Sequence, residues 1–289
     1  MVFDLVLHTL MAWLAFTLCS NPQSAAVTGS VRANEIVEGD TLISVGARFG
    51  VEPWVLAKDN GLAPNARLRT GNRLIVDFRH IAPSAIADGI VLNVAQRMLF
   101  VFENGEPVRA FPIAVGMPDW PTPRGRFGVL GKEIDPVWDV PVSIQQEMAR
   151  KGKRMLTTVP PGPDNPLGNR WLALSARNVG IHGTNQPSSI YRFTTHGCIR
   201  LHPDDMLELF DLVDVGASVE ITYQPFMLAR YGDGTAFLEV HPDPYRQGGS
   251  PEAQVRNLLS AAGLDYLADS PAVRQAIAER AGRAVVISP

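Results

Sequence analysis

From Gly89 onward, apolar residues come in short runs broken by polar or Gly/Pro punctuation. The runs are Ile90 to Val94, Leu99 to Phe102, Val108 to Val115, Phe127 to Leu130, Trp171 to Leu174 and Val219 to Thr222. Runs of this length predict strands, and Glu103-Asn104-Gly105-Glu106 predicts a hairpin turn between the second and third. Only two stretches of this body read as helix. One covers Ile144 to Lys151. The other begins at Pro203, with Asp204 and Asp205 in its positive first turn and Met206, Leu209, Phe210 and Val213 as a buried stripe. The pattern predicts a mainly β body, a closed or sandwiched sheet spanning residues 89–222.

The segment before it has a different rhythm. Glu35 to Glu38 reads as a strand, and Gly39-Asp40-Thr41 as a turn with Asp40 at a helix N-cap. Leu42, Val45 and Phe49 recur at helical spacing up to Gly50. Pro53 opens a second helix ending at Asn60-Gly61, and Leu74-Ile75-Val76 is a closing strand. Residues 34–78 are therefore expected to form a small α+β (βααβ) module, joined by a linker at 79–88. With its own strands, core and helix, the body is expected to fold without that module. Residues 223–289 follow as a C-terminal extension with no role assigned.

The chain starts apolar, from Leu5 to Leu18, and turns polar at Ser20-Asn21-Pro22. That run falls short of the roughly 20 residues a membrane span needs, and small residues follow at Ser24-Ala25-Ala26. A secretory signal over residues 1–26 is the expectation, which places the protein in the periplasm. An uncleaved anchor is the runner-up. Lys+Arg 26 against Asp+Glu 29 gives a net charge of −3, so nothing argues for nucleic-acid binding. Of the 2 cysteines, cleavage near Ala26 would leave Cys198 alone. A single thiol cannot form an internal disulfide, and in an oxidising compartment an unused one is a liability.

The chemistry lies between Gly180 and Arg200, which contains GIHGTN and then TTHGCIR. A thiol attacks carbonyls as thiolate, and an imidazole can take its proton. Gly197 lets the backbone turn sharply before Cys198 and bring amide N–H groups to a developing oxyanion. From the residues alone, either His182 or His196 could be the base. No His/Cys/carboxylate spacing suggests a metal, and no cofactor is implied.

His182-Gly183, a gap, then Thr195-His196-Gly197-Cys198-Ile199-Arg200 resembles the active-site motif of the YkuD-type L,D-transpeptidases. The flanking stretch PTPRGRFGV resembles the family too, and VPPGPDNPLGNRWLALS and LHPDDMLELF resemble its ErfK/YbiS branch. GDTL and TGNRLIV in the module resemble a LysM domain, with Asn34 and Asp77 departing from the usual pattern. The resemblance implies a β-sandwich-like catalytic fold and a Cys198 thioester with a peptidoglycan tetrapeptide stem. It makes His182 the base, with the Gly183 carbonyl orienting its ring. His196 would shape the site, and the amides of Gly197 and Cys198 would form the oxyanion hole. Arg200 would hold a substrate carboxylate or else pair with Asp204 or Asp205, and Thr195 and Tyr191 would line the cleft. The implied partners are stem peptides, glycan strands and an amine acceptor: another stem, an envelope lipoprotein or a free D-amino acid. The alternatives are an L,D-carboxypeptidase or cysteine amidase, and a non-catalytic wall-binding protein. A papain-like or NlpC-type peptidase is disfavoured because its Cys precedes its His.

Overall fold

The structure is a computed structural model describing residues 25–83 and 86–288 of the chain. Most of the expected signal segment, Cys19 included, lies outside the described residues. Three units are present, each with its own apolar core.

In the first unit, the strand Val31–Glu35 pairs antiparallel with Arg73–Asp77 around helices α1 (Leu42–Phe49) and α2 (Pro53–Asp59). The βααβ order is as expected, but two details differ. The first strand lies earlier than predicted, because Val37 to Asp40 is a turn in which Asp40 accepts the Val37 N–H. Asp40 also pairs with Arg48, so the N-cap falls to Thr41. Its hydroxyl accepts from the Ser44 amide while Ser44 answers the Thr41 amide, a reciprocal cap worth about 1 kcal/mol. Gly50 ends α1 at φ 70°, where glycine has no Cβ to clash.

The body is a nine-stranded sheet that closes on itself. Strand Glu106–Gly116 is long enough to serve twice. Its first half pairs with Met98–Glu103 and its far end with Ile199–Leu201 and Phe193–Thr195. Between them run Gly180–His182, Arg170–Leu174, Gly125–Ile134, Ser218–Thr222 and Gly89–Asn93. Helix α3 (Val142–Arg150) buries no residue completely, whereas α4 (Pro203–Leu212) buries Met206, Leu209 and Phe210 against the sheet. The Lys132 ammonium caps the C-terminal end of α4, 2.5 Å from the Phe210 carbonyl and 2.7 Å from that of Val213. Because α4 begins directly after Ile199–Leu201, this packing fixes the end of the strand that follows Cys198.

The C-terminal extension is a third folded unit. Strands Phe226–Arg230, Ala236–Val240 and Ala284–Val286 form a sheet, covered by α5 (Pro251–Ala261) and α6 (Pro271–Glu279). It also corrects the reading of residues 79–88 as a linker. His80–Ile81 is a buried strand paired with Val27–Thr28, and Ala82 is buried too. The Glu239 carboxylate of this third unit accepts the Ile81 amide at 2.5 Å, His80 Nδ1 at 2.9 Å, Gln96 Nε2 at 2.9 Å and His241 Nε2 at 2.7 Å. The other ring nitrogen of His80 donates to the carbonyl of Gly50 in the first unit. Arg283 with Asp59, and Lys58 with Glu279, add ion pairs between the first and third units. Arg97 joins the first unit to the body by pairing with Glu52 at 2.7 Å.

Candidate active site

Cys198 lies in the turn between Phe193–Thr195 and Ile199–Leu201. The next strand, Gly180–His182, runs parallel to the latter, with Ile181 opposite Ile199 and His182 opposite Arg200. The sheet thus carries Cys198, His182 and Arg200 to one cleft of about 340 Å³, walled by Trp120, Trp138, Ile144 and Asn178. A larger cavity of about 610 Å³ lies between the first unit and the body, lined by Arg32, Phe49 and Phe78. It has no cysteine in its lining, whereas the smaller cleft holds Cys198.

His182 is buried, with its ring stacked on Trp171 at 5.6 Å. The stacking requires Gly180, where a Cβ would lie 2.3 Å from the indole. His182 Nδ1 is 2.7 Å from the Gly183 carbonyl. A carbonyl only accepts, so Nδ1 carries the hydrogen and Nε2 keeps its lone pair. Burial, and then the Arg200 charge, push the His182 pKa down to about 3 against the pull of the Gly183 and Leu167 carbonyls. Burial pushes the Cys198 thiol up, and the Gly180 amide and Arg200 only partly offset it. The thiol donates to the Asn178 carbonyl at 3.7 Å. Both partners are uncharged at neutral pH in the resting protein.

Arg200 has its Nε buried without a hydrogen-bond partner. Among the described residues it pairs with neither Asp204 nor Asp205; the partner of Asp204 is His202. A half-buried guanidinium whose Nε–H is left without a partner in the cleft has hydrogen-bonding capacity that a carboxylate can fill. Thr195 lines the cleft but also holds the turn. Its hydroxyl donates to the Cys198 carbonyl at 2.6 Å and accepts the Gly197 amide at 3.2 Å. That bond corrects the expected oxyanion pair. The Gly197 N–H is already taken by the Thr195 hydroxyl, whereas no such bond engages the Cys198 amide among the described residues. Gly197 itself sits at φ 108°, a conformation that favours glycine.

His196 also lines the cleft, with Nε2 2.6 Å from Glu147 of α3 and its ring edge-on to Trp120. Lys151 and His196 together hold the Glu147 carboxyl at about 2. Tyr191 is corrected outright. It does not line the cleft, because a left-handed φ of 61° turns its side chain inward. There its ring lies under the Arg97 guanidinium at 4.0 Å, and its hydroxyl donates to the Gly282 carbonyl. Sequence reasoning missed Trp120, Trp138, Asn178 and Glu147. Two tryptophans in Pro/Gly-rich loops were the available signal for the first two.

His80, Glu239 and His241 also come together, with ligand-type atoms within 4.8 Å of one another. Both imidazoles reach the same Glu239 oxygen at 2.7 and 2.9 Å. Tetrahedral metal bonds of about 2.0–2.1 Å hold ligand atoms farther apart, roughly 3.3 Å, so the spacing is that of direct hydrogen bonds.

The YkuD family model, an L,D-transpeptidase catalytic domain, matches residues 87–221, and the LysM domain model matches residues 35–77. ErfK/SrfK of Salmonella typhimurium, named a probable L,D-transpeptidase, is 33% identical over 232 residues, 79% of this chain and 75% of that one. The chain belongs to the YkuD family of L,D-transpeptidases. YkuD of Bacillus licheniformis is 32% identical over 65% of this chain and 97% of its own. Among solved structures, the catalytic domain of an E. faecium L,D-transpeptidase is 26% identical, with a TM-score of 0.37, over 47% of this chain and 98% of that one. For an L,D-transpeptidase, an acyltransferase-type enzyme, a cleft joining a thiol, a neutral imidazole and an unpaired arginine suits the chemistry. No helix among the described residues is long and apolar enough to cross a membrane.

Proposed function

We propose that the protein acts on peptidoglycan by ping-pong acyl transfer, with Cys198 as nucleophile and His182 as base. The observation that supports this reading is the shared cleft, lined both by a carbonyl-oriented imidazole whose Nε2 keeps its lone pair and by a thiol, with Arg200 Nε unpartnered beside them. His182 Nε2 takes the thiol proton as sulfur attacks the carbonyl of the L-centre of the stem's diamino acid. The Cys198 amide receives the oxyanion. Collapse expels the terminal D-amino acid, whose amine leaves with the proton from His182. Arg200 binds a stem carboxylate; its charge favours the thiolate and opposes the imidazolium, so the proton moves only during attack.

An amine then opens the thioester: a side chain of another stem, a lysine of an envelope lipoprotein, or a free D-amino acid. The LysM module would keep the enzyme on glycan strands and raise the local stem concentration. An exported enzyme with a signal over residues 1–26, working in the periplasm, suits that substrate. The test is mass spectrometry of protein and muropeptides after incubation with tetrapeptide stems. The expected result is a stem-sized adduct on Cys198 and 3-3 linked dimers, both lost in Cys198→Ala. Tripeptide without dimers would make water the acceptor. Turnover by Cys198→Ala would remove the thioester.

A further inference from the structure

The turn that carries Cys198 is tied to the C-terminal extension through a chain of hydrogen bonds the chemistry above does not use. Thr122 is 2% exposed, and its hydroxyl accepts the Gly116 amide at 2.9 Å and donates to the Gly197 carbonyl at 3.0 Å. The Tyr245 hydroxyl accepts the Thr122 amide at 3.2 Å and donates to the Gly116 carbonyl at 2.8 Å. Tyr245 is itself held firmly. Its ring stacks on Tyr223 at 5.0 Å and 8°, and its amide donates to the Tyr223 hydroxyl at 3.1 Å. Asp243 accepts that hydroxyl and the Gly248 amide.

The direction of the Gly197 carbonyl matters because a trans peptide is planar. The Gly197 C=O and the Cys198 N–H belong to one peptide unit and point in opposite directions. Whatever holds the carbonyl therefore aims the amide. Gly197 has no side chain to limit rotation of that unit, so a free turn would sample other orientations. Thr195 grips the peptides on either side, through the Gly197 N–H and the Cys198 carbonyl. Among the described residues, Thr122 alone grips the one between them.

We propose that Thr122 and Tyr245 are positioning residues that aim the Cys198 amide at the oxyanion, a role that rests on Cys198 being the nucleophile. As the S–C bond forms, the carbonyl electron pair moves onto oxygen, and the preset amide meets it without reorganising. Tyr245, which follows the body in sequence yet packs on its core, thereby positions the turn from beyond residue 222.

Two reactions of one sulfur separate this role from a structural one. Acylation by a carbapenem passes through an oxyanion, whereas alkylation by iodoacetamide is displacement at a saturated carbon and needs no such donor. In the full chain, Thr122→Val should slow acylation about 10- to 100-fold, less than deleting an oxyanion donor outright, with alkylation unchanged. Thr122→Ser should restore the wild-type ratio. Tyr245→Phe, which loses one hydroxyl and is the safer variant for folding, should shift the ratio in the same direction by less. Equal slowing of both reactions in Thr122→Val and Tyr245→Phe would make the pair structural. No change in either reaction would show that the Gly197 carbonyl stays aimed without them. Both results overturn the proposal. A wild-type adduct elsewhere than Cys198 would instead overturn the assignment of the nucleophile.

Discussion

Two polar clusters are built into this chain, one around Glu239 and one around Cys198, and they differ in how their polar groups are met. The buried Glu239 carboxylate receives four donors drawn from the linker stretch, the body and its own unit. Burial alone would raise its pKa, but His80 and His241 outweigh that and hold it at about 2. Around Cys198 the thiol has one long contact, and Arg200 Nε has none. A polar group in the interior costs free energy until it is paired. The cluster that pairs its central charge locks three units together; the one that leaves its groups open toward a cleft is available to a substrate.

Removing a central polar group from each cluster should separate the two sharply. Removing the base in His182→Ala should lower the acylation rate of the folded fraction by about 100-fold or more, as read by stopped-flow. That loss is far beyond what the drop in thermal midpoint from deleting a buried ring accounts for, as read by calorimetry. A loss confined to stability would dissolve the distinction. In Glu239→Leu the pattern should invert. Breaking a buried charged pair costs about 3–5 kcal/mol, so the urea midpoint should fall while the folded fraction keeps its acylation rate.

pH should sharpen the contrast further. His182 is lowered from 6.5 to about 3, so its neutral form contributes stability that is complete above pH 6.5 and fades as pH falls toward 3. Glu239 is lowered from 4.5 to about 2, and its contribution is lost between those values. Stepped-pH urea unfolding should therefore weaken the higher limb in His182→Ala, leaving the part that the buried and likewise lowered His241 supplies, and lose the lower limb in Glu239→Gln. The same His182 shift predicts kcat/KM flat from about pH 7 to 5. An inflection near 6.5 would return an ordinary histidine to the site. The smallest effect belongs to His196→Ala. It should free α3 and raise proteolysis between Val142 and Arg154, with only a minor change in acylation.

Much of the cleft was legible because its residues are close in sequence. His182, Gly183 and the Thr195 to Arg200 run lie on neighbouring strands, and their residue types name the chemistry. Thr41 was misjudged because Asp40 caps equally well in isolation, and only the fold shows its carboxylate taken by Val37 and Arg48. Tyr191 was misplaced because a positive φ at a tyrosine is invisible in the sequence. The helices of the C-terminal unit did leave signals, Ser250-Pro251 and Ser270-Pro271, each an N-cap followed by Pro at N1. What no local pattern could reveal was Glu239. Its partners His80 and Ile81 are 159 and 158 residues away, and a carboxylate in an apolar strand shows nothing of them. It also revises the expectation that the body folds alone. A truncation starting at Ala82 would strip His80 and the Ile81 amide from a fully buried charge.

The closed sheet has a consequence for how the chain comes to be folded at all. Gly89–Asn93 is the first of its strands to be synthesised, yet one neighbour, Ser218–Thr222, is the last, and the seam is sealed by Asn93 reaching the Gln224 carbonyl 131 residues on. Parallel pairing between such distant segments forms late, since loop-closure entropy must be overcome before the contact returns anything. Until then Ile90, Val91 and Leu92 have only the Met98–Glu103 hairpin for shelter. The chain must therefore remain soluble with an unpaired apolar edge until almost all of its sheet has been made.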